Sequence, residues 1–391
     1  MTGSALHTEV APSLLRKIND RRVLEVIRQL GTASRADVVR ASGLTAPTVS
    51  KAVASLLKGG LLEERDQVAP GVGRPARVLR LASEQTSVLG VVIDTPTCWV
   101  GVAGLSGEIL PANESSFALP PTYAGLLSAI EARISQLVQQ YGSPPRGIGL
   151  SVPGQVNSSL HEVVFSPNLH MLDGHRPGVD LAERLGIPCA MLQESHALCL
   201  GERMFGAARG LKNFAMLDVS TGLGLGVMSG GQLLTGHSGL AGELGHITVD
   251  PDGLPCGCGN TGCLETVATD SALCRLVSQR LGQTLNIEDI VRRVQAGELD
   301  VREELQRTGE YLAIAIAAAI NIFNPSTLLI HGRLFELGDD VFARITQRAR
   351  QRSLQPSQAD CRLLRARGSK RKGAIAGMLQ HLNDSLAPAW T

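Results

Sequence analysis

Between Gly242 and Glu265 the chain reads Gly-Glu-Leu-Gly-His and, further on, Cys-Gly-Cys-Gly-Asn-Thr-Gly-Cys-Leu-Glu. His246, Cys256, Cys258 and Cys263 supply one imidazole and three potential thiolates. That set closes a tetrahedral site and leaves no open position for a catalytic water, which is what structural zinc prefers. The interleaved glycines allow a short loop to fold around a small ion. The competing reading is reduced cysteines in a Gly-rich turn. Glu243 and His246 stand three residues apart and share a face if the segment is helical.

The other cysteines, Cys98, Cys189, Cys199, Cys274 and Cys361, are scattered and read as ordinary buried thiols. A disulfide framework is not expected, because the chain carries the marks of a reducing compartment. Its first twenty residues are polar, without the apolar core of a signal peptide. No run of about 18 uncharged apolar residues stands out. The expectation is a soluble cytoplasmic protein with no membrane partner. With 391 residues, 43% of them hydrophobic, the chain has room for several buried cores and two or more domains. Aromatic residues, at 3%, are too scarce for stacking platforms that bind single strands.

The net charge of +1 hides an asymmetry. Residues 1–83 hold 13 Lys and Arg against 7 Asp and Glu, whereas the remainder holds 24 against 29. A basic N-terminal module on a mildly acidic body suggests a nucleic-acid reader joined to something else. Within that module Arg22–Leu30 reads as an amphipathic helix. Ser34 caps a second helix, Arg35–Ala41, which Gly43 ends. Thr45 caps a third, with Pro47 in its first turn and Gly59-Gly60 at its end. Helix, short turn and helix is the helix-turn-helix pattern. The start of the third helix offers Thr45, Ala46, Thr48, Ser50 and Lys51 to base edges in a major groove, with Arg35 beside them. Strands at Leu61–Arg65 and Arg77–Leu81 flank Gly71-Val72-Gly73-Arg74-Pro75. That loop reads as a wing whose Arg74 enters a narrow minor groove, with Arg77 behind it. The bland alternative is a three-helix bundle with a solvated hairpin.

From Ser87 onward strands alternate with helices. Val88–Ile93, Trp99–Ala103 and Glu108–Leu110 read as strands, Tyr123–Tyr141 as a helix, and Gly147–Val152 as a strand. Phe214–Val219 and Leu225–Met228 start a second run, which ends in a helix at Leu305–Phe323 and a strand at Thr327–Ile330. Two successive β-β-β-α-β-like runs suggest a duplicated α/β fold with a cleft between lobes.

On these residues the chain resembles the ROK family of repressors, open reading frames and sugar kinases. The resemblance rests on the Gly242–Glu265 segment, Ser151-Val152-Pro153-Gly154, Ser166-Pro167-Asn168-Leu169 and Thr221-Gly222-Leu223-Gly224. It implies an N-terminal winged helix-turn-helix followed by a two-lobed, actin-like sugar-kinase fold. The expected divisions are 1–83 for the DNA-binding module, 84–196 for the first lobe and 197–369 for the second, which carries the zinc loop. A C-terminal segment, about 370–391, returns to the first lobe. The basic module resembles that of the family's repressors of sugar catabolism, which kinases normally lack.

The resemblance also separates the two halves of the cleft. Kinases of the family carry a Gly-rich phosphate loop after the first strand, whereas this chain has Asp94-Thr95-Pro96-Thr97-Cys98. Pro96 removes an N–H and fixes φ. The family's catalytic Asp corresponds to Glu194, preceded by Gln193, and a misplaced base loses rate steeply. Ser220 replaces a glycine, and Ile330-His331-Gly332-Arg333 stands where Gly-Gly is usual. The sugar side keeps more. Glu243, His246, Glu265, Glu194, Gln193 and Asn168 are the sugar-contacting set the resemblance implies, with His246 bridging zinc and ligand. The resulting expectation is a catalytically inactive, sugar-responsive transcriptional regulator, a repressor of carbohydrate catabolism or transport genes. It would bind double-stranded operator DNA and a small sugar or sugar-phosphate effector, as a homodimer or dimer of dimers. The alternatives are an ATP-dependent sugar kinase and a repressor controlled by a protein partner.

Overall fold

The computed structural model describes residues 12–66, 77–83 and 86–386. At the N-terminus α1 (Pro12–Leu30), α2 (Arg35–Ser42) and α3 (Ala46–Lys58) form a trihelical unit. The Ser34 hydroxyl accepts from Asp37 N while the Asp37 carboxylate takes the Ser34 N–H, a reciprocal capping box. Thr45 stands at the N-cap of α3 without capping it, and its hydroxyl pairs with Thr48 Oγ1 at 2.9 Å instead. Helical spacing puts Val49, Ala52, Val53 and Leu56 on one buried face, against Val23, Leu24 and Ile27 of α1. The first helix starts ten residues before the expected Arg22, at Pro12. The hairpin of β2 (Leu62–Asp66) and β3 (Arg77–Leu81) gains a third strand, β1 (Thr32–Ala33), too short to show in the sequence. The expected wing loop with Arg74 lies outside the described residues.

The first lobe is a five-stranded sheet in the order β10-β7-β4-β5-β6. β4 (Ser87–Ile93), β5 (Thr97–Gly104) and β6 (Glu114–Ala118) run antiparallel, and β7 (Pro145–Val152) and β10 (Cys189–Gln193) lie parallel to β4. The expected strand at Glu108–Leu110 is not there. A turn at Pro111–Asn113 follows it, and the third strand begins at Glu114, where backbone N–H groups can again face β5. α4 (Tyr123–Tyr141) covers one face with Leu126, Leu127, Ile130, Ile134 and Leu137. A small hairpin, β8 (Gln155–Asn157) and β9 (Glu162–Phe165), leads to α5 (Pro177–Leu185).

The second lobe repeats the plan in the order β13-β12-β11-β14-β15. β11 (Phe214–Asp218), β12 (Gly224–Ser229) and the two-residue β13 (Gln232–Leu233) are antiparallel, with β14 (Thr327–His331) and β15 (Arg362–Arg365) parallel to β11. α7 (Asp270–Leu281), α8 (Ile287–Gln295), α9 (Arg302–Phe323), α10 (Val341–Arg352) and the short α11 (Gln355–Asp360) enclose its core.

Two helices lie between the lobes. α6 (Glu194–Phe205) leaves β10 and packs on β11 and β12. α12 (Lys370–Leu386) returns to the first sheet and lies on β4, β7 and β10. It comes this close because β7 offers Gly149, where a Cβ would stand 1.8 Å from Ala374 O. The far end of α12 joins the N-terminal unit. Ile375, Met378 and Leu379 share one apolar cluster with Val23, Leu24, Ile27 and Leu56. The unit is therefore packed onto the first lobe, whereas the sequence shows only the covalent link near Leu81–Ser87. Among the described residues no helix is long and apolar enough to cross a membrane.

Candidate functional site

The 3-10 turn Leu244–His246 and the loop from Thr248 to Cys263 bring the four expected metal donors together. The donor atoms of His246, Cys256, Cys258 and Cys263 all lie within 4.8 Å of one another. The Cys258 and Cys263 sulfurs are 3.7 Å apart, and Cys256 Sγ stands 3.7 Å from His246 Nδ1. A tetrahedron with bonds of about 2.3 Å to sulfur has edges near 3.8 Å, so the donor set fits an ion of that kind. Gly262, at φ 72°, is required here, since a Cβ would lie 1.5 Å from Asp250 O.

The other ring nitrogen of His246 faces away from the sulfurs. Nε2 lies 3.6 Å from Glu243 Oε2, so the turn places the pair side by side. Gln193 Nε2 donates to Glu243 Oε1 at 2.9 Å. Glu265 receives Leu223 N at 3.3 Å and the Cys256 thiol at 3.2 Å. These residues line one cavity together with Asn168, Glu194, Ser166, Ser195 and the Thr221–Gly224 loop, so all six sequence-predicted sugar residues meet there. Three of its buried polar atoms, Ser166 Oγ, Gln193 Oε1 and Ser195 Oγ, have no protein partner. Asp94, Glu194, Asp218, Glu243 and Glu265 all line the same cavity, and among the described residues no lysine or arginine joins them in that lining.

A group that sequence reading missed stands at the boundary of this cavity with its neighbour. Lys370 Nζ donates to Glu194 Oε1 at 2.7 Å and to Asp94 Oδ2 at 2.8 Å. Burial opposes its charge, but the carboxylates of Glu194, Asp218 and Asp94 outweigh burial and hold the ammonium protonated. Burial pushes the Glu194 carboxyl up, against the pull of Lys370. The one hint in the sequence is three cations, Lys370-Arg371-Lys372, at a helix N-terminus, where the dipole disfavours them.

The neighbouring cavity is lined by Thr95–Thr97, Ser220, Thr221, Asp270, His331, Arg333 and Lys370. Here three backbone donors are already occupied. The Asp270 carboxylate takes Arg333 N at 2.7 Å and Leu334 N at 2.8 Å, and Asp218 takes Ser220 N at 3.3 Å. Burial pushes the Asp270 carboxyl up to about 7 despite those two donors. Burial also opposes ionisation of Asp218, but its hydrogen bond to His331 at 2.9 Å and the Lys370 charge win and hold it low. The Arg333 guanidinium is paired with Glu336 and Glu288. Cys274, expected to be an ordinary buried thiol, is only half-buried and lines this cavity, and Cys189 is also only half-buried.

At the opposite end of the molecule Thr45, Ala46, Ser50 and Lys51 are exposed on α3, with Thr48 half-buried beside them. Arg35 and Arg77 both turn to Glu64, Arg77 at 3.5 Å.

The ROK family model matches residues 89–384. The DNA-binding transcriptional dual regulator NagC of Escherichia coli K12 is 30% identical over 336 residues, 83% of this chain and 82% of its own. The xylose repressor of Bacillus subtilis is 31% identical over 340 residues, covering 83% and 84%. Among solved structures, a ROK family transcriptional regulator homologous to E. coli Mlc matches with a TM-score of 0.80 and 29% identity over 95% of this chain and 98% of that one. A ROK family glucokinase from Streptomyces griseus, in complex with glucose and AMPPNP, matches with 0.67 and 26% over 74% and 97%.

Proposed function

The chain belongs to the ROK family, and we propose that it is a sugar-responsive transcriptional repressor of carbohydrate genes and not a kinase. The observation that carries this reading is the contrast within the cleft. One cavity presents buried polar atoms without a protein partner beside the carboxylates of Glu243, Glu265 and Glu194, whereas Arg333 N, Leu334 N and Ser220 N beside its neighbour are already met by Asp270 and Asp218. A buried polar atom without a partner costs about 1–3 kcal/mol, so Ser166, Gln193 and Ser195 favour a ligand rich in hydroxyls. Carboxylates accept hydrogen bonds from hydroxyls, and Glu243, Glu265 and Glu194 surround the ligand as acceptors.

Five carboxylates line the cavity and Lys370 Nζ at its edge is taken up by Glu194 and Asp94, which favours an uncharged sugar over a sugar phosphate. Phosphoryl transfer also needs a free base and free phosphate donors. Glu194 is tied to Lys370, and Pro96 stands in the first phosphate loop.

His246, Cys256, Cys258 and Cys263 hold one structural zinc ion in this reading. The metal would fix the zinc loop and leave His246 Nε2 directed at Glu243 and the ligand. Thr45, Ala46, Thr48, Ser50 and Lys51 read base edges, and Arg74 adds a minor-groove contact. Arg35 and Arg77 reach phosphate only by leaving Glu64. Two such modules in a homodimer suit a two-fold operator.

The test is operator affinity, on a duplex selected by the protein from a randomised pool, with and without D-glucose, D-xylose or N-acetyl-D-glucosamine. One of these sugars is expected to weaken operator binding by tenfold or more. Unchanged affinity with every sugar, together with sugar phosphorylation on adding ATP and magnesium, would replace the repressor reading with the kinase one.

A further inference from the structure

We propose that α12 is the relay between the sugar cavity and the DNA-binding unit, with Lys370 as its positioning residue at the cavity end and Asp384 at the other. The inference rests on the sugar-responsive reading above and adds the route by which that response travels.

The two ends of this helix touch the two functional parts of the molecule. At its first residue the Lys370 ammonium, 12% exposed, is clamped between Asp94 at the end of β4 and Glu194 at the start of α6. Asp384, in the last turn, stands fourteen residues further along, about 21 Å at 1.5 Å per residue. There Asp384 Oδ1 pairs with Arg21 Nη1 at 3.0 Å, and Asn383 Oδ1 receives Arg28 Nη2 at 3.4 Å. Both partners lie on α1, the helix against which α3 packs. Met378 and Leu379 join the α1 apolar face in one core cluster, with Leu382 and Leu386 packed against it.

The cavity end is held from several directions. The fully buried carboxylate of Glu202 on α6 receives Arg367 N at 2.8 Å, Gly368 N at 2.5 Å and Ala207 N at 2.7 Å, which fixes the segment that delivers Lys370. Gly373 and Gly149 leave no room for a Cβ between α12, α6 and β7. A close-packed rod of this kind moves as a body.

Two of the cavity's carboxylates are thus also the clamp on Lys370. A sugar hydroxyl donated to Glu194 draws on the carboxylate that holds the ammonium. Closure of the lobes shifts Asp94, on the first sheet, against Glu194 on the inter-lobe helix. Either event changes where Lys370 rests, and α12 carries the shift to Arg21 and Arg28. Such a path needs coupling evidence, which mutation at both ends supplies.

The experiment uses the full-length protein, its selected operator, and whichever of D-glucose, D-xylose and N-acetyl-D-glucosamine raises its melting temperature, at saturation. Lys370→Met is expected to bind operator within threefold of wild type when sugar is absent. The tenfold or greater loss of operator affinity on adding sugar should shrink to less than threefold. At the other end, Arg21→Asp and Asp384→Arg alone should each reduce that loss, and the double exchange should restore it. Wild-type response in Lys370→Met, or no rescue by the double exchange, overturns the relay. If no sugar raises the melting temperature, the sugar reading fails, and hydrogen exchange tests the relay separately. Lys370→Met should then speed exchange in α1 between Val23 and Leu30 while leaving α4 unchanged. Equal exchange in α1, or equal acceleration in both helices, overturns it.

Discussion

The two halves of the cleft share a fold and a boundary, yet their polar groups are used in opposite ways. On the Glu243 side, buried acceptors are left without protein partners and the side chains converge on open space. On the Asp270 side, Arg333 N, Leu334 N and Ser220 N are each met by a carboxylate of the chain itself. An unsatisfied buried group favours a ligand, and a satisfied one does not. The glucokinase match shows that this scaffold also serves a protein bound to both glucose and AMPPNP.

The sharpest way to break the contrast is to remove the loop that supports the sugar side. About one zinc ion per chain is expected by metal analysis of freshly purified protein. Cys258→Ser should lose it, along with the sugar response, and lower the melting temperature by several degrees. Protein that contains no zinc before any chelator is added contradicts this part of the account.

Next in size is Glu243→Ala, which leaves Gln193 Nε2 without its acceptor and the ligand without a carboxylate. Operator binding should persist, but the tenfold release by sugar should fall to nothing, giving a permanent repressor. Normal release in this variant would place the sugar elsewhere. A smaller effect is expected at the DNA end. Lys51→Ala should weaken operator binding by about 1–3 kcal/mol and flatten its salt dependence, with the response to sugar unchanged. Unaltered operator affinity would remove α3 from the interface.

The sequence made the Glu243 side readable and the Asp270 side only half so. The metal donors lie within one short segment, and α4 spans Tyr123–Tyr141 as its periodicity predicts. Pro96 is likewise visible as a local fault. Lys370 meets Glu194 across 176 residues, and Asp270 meets Arg333 across 63, so no local spacing could reveal either pairing. The misplaced third strand has a similar cause. Glu108–Leu110 has strand-like residues, but pairing resumes only after the turn at Pro111, and pairing with β5 decides the strand. The link between the N-terminal unit and the body is hidden for the same reason. Arg21 and Asp384 stand at opposite ends of the chain.

Titration calorimetry on the intact, zinc-loaded protein tests the central contrast most directly, with an uncharged sugar, its 6-phosphate and ATP with magnesium in separate runs. The account predicts saturable heat for one uncharged sugar, none for its phosphate and none for ATP, with or without the sugar present. Saturable ATP binding that yields a phosphorylated sugar would contradict it.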